Sequence, residues 1–420
     1  MLLEFTLKNY GPFRDEAVLS LVKDSGDEHP DNSVTCPGTD SRVLTSAAVF
    51  GLNSSGKSRV FMAIGDLIRI IGSVPAPNSS IPFYNPFRLS RDSLGGPTEM
   101  NIRFTADGVR YEYGISFDSE RIVSEHLYSY PRGRVTRVFD RDGQTFSFRK
   151  RDEPSMRRMS DMTPRNTPFL TMAAQLNNQV CQSVHLYLTR RIVVMGDAPM
   201  NLLWEVLSRV SNDGPMKDSM VRAMGIADFG ISDIVGESRR ADADEIPGLP
   251  PQLKQLLESV PGSGIVSNRL EMRHDFPDAD VDESLHYFPY SIESRGTLQM
   301  FSMMGPVIEA LRDGGVVLFD EFGSSLHTAI SRWIIGQFSA PSNPNGAQLL
   351  INTHDLMLMD TEMLFRRDQI YFTNKDRGTG AAELYSLSDF KGVRKDLDVL
   401  KSYLSGRFDA IPEIDRGDLL

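Results

Sequence analysis

The chain has 420 residues, with 45 basic against 56 acidic side chains and a net charge of −11. Its hydrophobic share of 40% and charged share of 24% are those of a globular chain, and the length suits two or three lobes. The acidic balance excludes a globally basic nucleic-acid binder but leaves a local basic groove open. No apolar run is long enough to cross a bilayer, and the first residues lack the basic start and unbroken apolar core of a signal peptide. Cys36 and Cys181 are too few for a disulfide framework or a cysteine-rich zinc site, so a cytoplasmic protein is expected, with no membrane contact.

In chain order, Leu3, Phe5 and Leu7 alternate as one face of a first strand, and Ala17, Leu19 and Leu21 as a second, around the turn Asn9-Tyr10-Gly11-Pro12. Residues 24–42 are polar and read as an exposed loop. Ser46-Ala47-Ala48-Val49-Phe50 is a buried strand. Gly51-Leu52-Asn53-Ser54-Ser55-Gly56-Lys57-Ser58 follows and fits G-x-x-x-x-G-K-[ST] at every fixed position. The apolar stretch from Val60 to Ile71 then supplies the helix that this motif requires. Glycines let such a loop turn its N–H groups inward around an anion, and the helix start adds the positive end of its dipole. The site is expected to run from Asn53, Ser54, Ser55 and Gly56 to Arg59. Lys57 would reach the β- and γ-phosphates of ATP, and Ser58 would ligate Mg²⁺.

Pro75 to Pro97 is proline- and serine-rich loop. Alternating runs then follow at 100–105, 109–117, 122–130, 135–139 and 145–148, with Asp-Gly turns at Asp107-Gly108 and Asp142-Gly143. This pattern predicts an antiparallel sheet beside the nucleotide core. Residues 149–290 read as helices and loops, with helical spacing at 168–188 and 201–210, another helix within 212–245 and a short one from Gln252 to Val260. No sustained heptads occur, so a compact helical insert is expected in place of a coiled coil. Phe148-Arg149-Lys150-Arg151 and Met156-Arg157-Arg158-Met159 form the most basic region, which is either a solvated loop or a contact for phosphates or an acidic partner.

Gly315-Val316-Val317-Leu318-Phe319-Asp320-Glu321 is a buried parallel strand with two acids at its carboxyl end, where α/β sheets place their chemistry. Asp320 would complete the Mg²⁺ shell, and Glu321 would act as general base on the attacking water. Ala347 to His354 gives another apolar strand with a polar tip. Residues 369–375 and 383–390 read as two more strands, and a last helix is expected between Val393 and Leu404.

Several of these segments resemble known ATPases. Phe5 to Phe13 is similar to the F-x-x-x-N-F/Y-x-x-F pattern on the first strand of SMC-like and RecF-like heads. Ser294-x-Gly296, before a helix, resembles the ABC signature, which presents a helix tip to the γ-phosphate held by a second subunit. His354 stands where these ATPases carry the switch histidine. Phe322 to His327 resembles the D-loop, with His327 in place of the usual Asp. No Q-loop glutamine is found between the first helix and the β-lobe, where the chain offers Asn85 and Glu99. Together with Asp320 to His327, Thr353 to Asp355 and the tail Lys401 to Pro412, these segments resemble the RloA-like or AbiL-type AAA-family ATPases of abortive-infection systems.

The resemblance implies a P-loop NTPase of α/β class, with an ABC-type (SMC/RecF-like) ATPase head, an antiparallel β-lobe and a helical insert. The expected limits are 1–74 and 291–420 for the nucleotide core, 75–148 for the β-lobe and 149–290 for the insert. It also implies a homodimer or higher oligomer closing on ATP with Mg²⁺, and a nuclease or Toprim-like effector in anti-phage defence. A DNA-repair head that binds DNA directly, and a scaffold that binds ATP with little turnover, remain as alternatives.

Overall fold

The computed structural model describes residues 1–39, 41–150, 152–196, 199–227, 230–241, 265–275, 282–339, 341–393 and 397–410. They form two compact units, Met1–Gly196 with Ala310–Leu420, and Asp197–Glu309.

The first unit contains two large sheets. One has six strands in the order Ile192–Met195, Val316–Phe319, Gln348–Asn352, Ser46–Gly51, Ile370–Lys375, Ala382–Ser386. All neighbours are parallel except the last pair. Val316–Phe319 and Gln348–Asn352 are buried at every position, as apolar runs covered on both faces must be. Helix Lys57–Gly72 contacts strands Ser46–Gly51 and Ile192–Met195 of this sheet and buries Val60, Phe61, Ile64, Leu67 and Ile71, a stripe at helical spacing. The switch from strand to loop to helix at residues 46–72 puts the phosphate loop at the carboxyl edge of the sheet.

The second sheet is antiparallel and has seven strands. From Thr145–Phe148 at one edge it runs through Thr136–Asp142, Ile122–Tyr130, Val109–Phe117, Thr98–Ala106 and Leu2–Lys8 to Ala17–Ser20. The first two strands of the chain therefore belong to the β-lobe, where the sequence reading assigned them to the nucleotide core. Alternation identifies a strand but not its partner; Leu2–Lys8 pairs with Thr98–Ala106 in register from Glu4↔Arg103 to Lys8↔Glu99. Buried Asn9, at φ +51°, ends that strand. Its amide donates to the carbonyls of Ser93 and Gly96 at 2.8 and 3.0 Å and accepts from the Phe87 N–H at 2.9 Å, pinning the long loop that precedes the β-lobe.

The expected insert boundary also moves. Helices Glu153–Asp161, Phe169–Gln175 and Gln179–Arg190 and strand Ile192–Met195 belong to the first unit. The apolar run Ile192–Met195 adds a strand beside Val316–Phe319. The predicted helix over 168–188 breaks at Asn177, which takes φ +63°, and Asn178 caps the second half by accepting from the Cys181 N–H. Glu125 fastens this region to the β-lobe. It is fully buried and accepts from the N–H groups of Phe169 and Leu170 at 2.7 and 2.9 Å, from Tyr113 at 3.1 Å and from Arg141 at 3.4 Å. Burial raises the Glu125 pKa and lowers that of Arg141, so for both groups desolvation outweighs their mutual attraction.

The second unit is not all helical as expected. Helices Pro199–Asn212 and Gly214–Ile226 accompany an antiparallel sheet of Ile231–Ala241, Ile265–His274 and Tyr287–Pro289. A Cβ at Gly236 would lie 2.3 Å from Leu207 Cδ1, so the missing side chain lets helix and strand approach closely. The predicted helix from Gln252 to Val260 lies outside the described residues.

Candidate functional site

The phosphate loop keeps its shape through two glycines and a neighbouring strand. Gly51 has φ +148°, and a Cβ there would lie 2.3 Å from the Thr373 carbonyl; Gly56 has φ +114° and would meet Phe13 at 2.9 Å and Pro12 at 3.3 Å. Phe13, which is fully buried, is thus the support under the loop, which gives a physical role to the resemblance noted at Phe5–Phe13. Ser54 also takes a positive φ of 62°. The Ser55 hydroxyl donates to the Leu52 carbonyl at 2.8 Å and bonds to the Thr373 hydroxyl at 2.5 Å. Ser55 therefore holds the loop from below.

Lys57 is buried, and its Nζ donates to the carbonyls of Gly51 and Leu52 at 2.9 Å each. It makes no ion pair with a described residue, and an ammonium has three donors, so one is left over. Burial lowers its pKa, while Asp320 and Glu321 act to raise it. A buried cation without a bonded carboxylate at the start of a helix is a site that calls for an anion.

A cavity of about 680 Å³ opens over this lysine, lined by Pro12, Leu52, Asn53, Ser54, Gly56, Lys57, Ser58, Arg59, Glu321 and His354. It gathers the expected phosphate-loop residues with one acid and one histidine from elements roughly 270 and 300 positions further along the chain. Ser55 sits behind the loop. Asp320 follows the last residue of its strand, and its Oδ1 accepts from Asn352 Nδ2 at 2.5 Å. Glu321 has φ +53°, and its N–H donates to Asn352 Oδ1 at 2.8 Å. Burial lowers the His354 pKa, and Lys57 lowers it further against the pull of Glu321 and Asp320.

Beyond His354, Asp355 accepts from Thr328 at 2.6 Å, joining the segment after strand Gln348–Asn352 to helix Thr328–Gly336. His327 caps that helix through Nδ1, which accepts from the Ala329 N–H at 3.1 Å. Asn85 is not among the residues lining the cavity; its carbonyl accepts from the Gly11 N–H at 2.7 Å. Ser294 and Gly296 belong to the second unit. There the Ser294 hydroxyl accepts from the Thr297 N–H at 3.1 Å, at the start of helix Arg295–Asp313.

Three contributors escaped the sequence reading. Asn352 carried a usable signal, a polar residue closing an apolar strand just before Thr353-His354-Asp355. Pro12 sits in a motif that was seen without its purpose. Thr373, the first of three polar residues that close strand Ile370–Lys375, carried none.

The donor set suits Mg²⁺. The Ser58 hydroxyl and the Asp320 carboxylate, the two expected ligands, would both be hard oxygen donors. Among the described residues, no group of three or more His, Cys, Asp or Glu is assembled. An ion here would therefore take its other ligands from phosphate and water. Also among the described residues, no helix is long and apolar enough to cross a membrane.

A family profile described as "AAA domain, putative AbiEii toxin, Type IV TA system" matches residues 46–154 and 200–360. No curated protein matches the chain. Among solved structures, the SMC head domain from Thermotoga maritima is similar at 13% identity and TM-score 0.40, over 92% of this chain and 98% of that one. An Smc head bound to the C-terminal winged-helix domain of ScpA gives 11% identity, TM-score 0.43 and coverage of 92% and 97%. An Smc head with an extended coiled coil, bound to the C-terminal domain of ScpA derived from Pyrococcus furiosus, gives 11%, 0.38, 92% and 96%.

Proposed function

From the premise that the chain belongs to this AAA-domain family, we propose that it hydrolyses ATP with Mg²⁺ at its phosphate loop and uses the cycle as a switch. The observation that carries the reading is the buried Lys57 ammonium, unpaired with any described carboxylate and walling a cavity that also holds Glu321 and His354. Lys57 would bind the β- and γ-phosphates, and the loop N–H groups from Asn53 to Ser58 would share their charge. Ser58 and Asp320 would hold Mg²⁺, which when bound neutralises charge on the phosphate oxygens. Glu321 would take the proton from the attacking water, and His354 would donate to the terminal phosphate.

The finer reading is a homodimer closed on two ATP molecules, with Ser294 and Gly296 of each copy completing the site of the other. Its support is the resemblance of Ser294-x-Gly296 to the ABC signature. An anti-phage sensor working with a nuclease or Toprim-like effector is supported by the resemblance to RloA-like and AbiL-type ATPases.

Phosphate release from ATP by the purified full-length chain tests the reading, with Lys57→Ala as the control. We expect Mg²⁺-dependent turnover that Lys57→Ala abolishes together with ATP binding. Absence of ATP binding by the wild-type chain refutes it. Binding without measurable turnover, alone or with a partner, selects the scaffold alternative.

A second reading, direct action on DNA, is favoured by one observation. Nine cations against four carboxylates lie between residues 130 and 158 of a chain whose net charge is −11. Arg132, Arg134, Arg149, Lys150 and Arg158 are exposed there and make no ion pair with a described residue. Duplex binding that weakens steeply with salt supports this reading; no binding at low salt removes it.

A further inference from the structure

Asn352 ends the strand between the phosphate-loop strand and the acidic strand, two residues before His354. It is fully buried. Both ends of its amide face the acidic pair. Nδ2 donates to Asp320 Oδ1 at 2.5 Å, and Oδ1 accepts from the Glu321 N–H at 2.8 Å. A carboxylate only accepts and a backbone N–H only donates, so one orientation of the amide satisfies both partners. The Asn352 carbonyl accepts from the Phe322 N–H at 2.9 Å, and the Thr353 hydroxyl donates to the Phe322 carbonyl at 3.0 Å. Residues 320–322 are thus bonded one after another to the next strand.

The bond to Glu321 matters most. Glu321 takes φ +53°, a conformation that residues other than glycine hold only when their surroundings impose it. The φ of Glu321 decides where its side chain leaves the backbone, and the neighbour that grips its N–H is Asn352. The grip on Asp320 selects which carboxylate oxygen stays free for a cation.

We propose that Asn352 is a positioning residue for the acidic pair, holding Asp320 for Mg²⁺ and Glu321 for water through one buried amide. This rests on the ATPase reading and deepens it. Because the same strand tip carries His354 into the cavity, a movement of His354 against a terminal phosphate would pass to both acids through two residues of backbone. No single aliphatic or hydroxyl side chain at position 352 offers a donor and an acceptor at this separation.

The test pairs Asn352→Leu, which removes both bonds, with Asn352→Asp, which keeps the shape and the acceptor for Glu321 but replaces the amide donor with a second carboxyl against Asp320. Amide hydrogen exchange of the full-length chain without nucleotide reads the Glu321 N–H. Steady-state turnover against ATP and Mg²⁺, and binding of a fluorescent ATP analogue without metal, complete the set. We expect Glu321 protection to be lost in Asn352→Leu and kept in Asn352→Asp. Turnover should fall about 10–100-fold in both, the range for an outer-shell partner of a metal site. Analogue binding should stay within about threefold, a split between kcat and binding that general loosening would not give.

Protection retained in Asn352→Leu, or wild-type turnover in Asn352→Asp, overturns the proposal. Should Asn352→Leu fail to fold, the kcat-against-binding split of Asn352→Asp decides alone. A wild-type chain without turnover overturns the ATPase reading, and the exchange of the Glu321 amide still decides whether Asn352 holds it.

Discussion

Glu321→Gln is the most direct probe of the chemistry. The substitution preserves side-chain volume and leaves the backbone bond to Asn352 Oδ1 intact. It removes the proton acceptor. Loss of a general base costs about 10²–10⁴ in rate. At about 1.4 kcal/mol per decade this is roughly 3–5 kcal/mol on the barrier. It also removes one negative charge from the cavity that holds Lys57 and His354. An incoming triphosphate then meets less repulsion, so ATP binding should be unchanged or tighter. Single-turnover phosphate release measures the first effect, and fluorescent-nucleotide titration the second. Light scattering of the eluting protein with ATP and with ADP reports whether the closed pair accumulates, as the proposed dimer requires. Wild-type phosphate release in Glu321→Gln refutes the base assignment. Loss of turnover together with loss of ATP binding refutes the electrostatic reasoning, because that reasoning keeps the phosphate site intact.

Other expectations follow from single contacts. In Lys57→Ala the His354 pKa should rise, since one of the two causes lowering it is gone; titration of its Cε1–H by NMR measures this, and an equal or lower value refutes it. The linked stability has a definite sign. Native His354 binds fewer protons than the unfolded chain below the ordinary value of 6.5, so its contribution weakens as pH falls through that value, and less so in Lys57→Ala. Thr373→Val removes the hydroxyl bonded to Ser55 at 2.5 Å, worth about 1 kcal/mol, so ATP affinity should fall about fivefold; unchanged affinity refutes the support role. Glu125→Leu leaves the buried Arg141 charge without its carboxylate and two buried helix N–H groups without their acceptor, at a cost of about 3–5 kcal/mol. A shift in urea unfolding corresponding to less than about 1 kcal/mol would contradict that accounting.

What the sequence made legible follows from how narrowly each feature is constrained. A loop that wraps a phosphate needs glycine where φ is positive and a lysine at the helix start, so Gly51, Gly56 and Lys57 stand out unaided. Four buried apolar residues closing on two acids are equally distinctive at Val316–Glu321. Pairing partners are a different matter. Leu2–Lys8 has the period of a strand, but its place in the β-lobe depends on cross-strand packing with residues about 100 positions away, which alternation does not encode. Ile192–Met195 is only four residues and follows a helix closely, so its apolar run reads equally well as a helix end. Strand Ile231–Ala241 contains Ser, Asp, Gly, Glu and two Arg, which masks its period. Asn352 and Thr373 act through one or two hydrogen bonds each, and such bonds appear only once neighbouring strands are known.

The order of strands explains why the site has room for its chemistry. Neighbouring strands lie about 4.8 Å apart, and the acidic strand is two places from the phosphate-loop strand, so their tips are about 10 Å apart across the sheet. The intervening strand Gln348–Asn352 holds the two apart and borders both, in register with Ser46–Val49 on one side and Val316–Phe319 on the other. Its tip is therefore the one place in the sheet from which a residue can reach the acids while the next residues reach the cavity. Asn352 occupies the first position and His354 the second. The strand order, and not any one motif, places the acids, Asn352 and His354 relative to the phosphate loop.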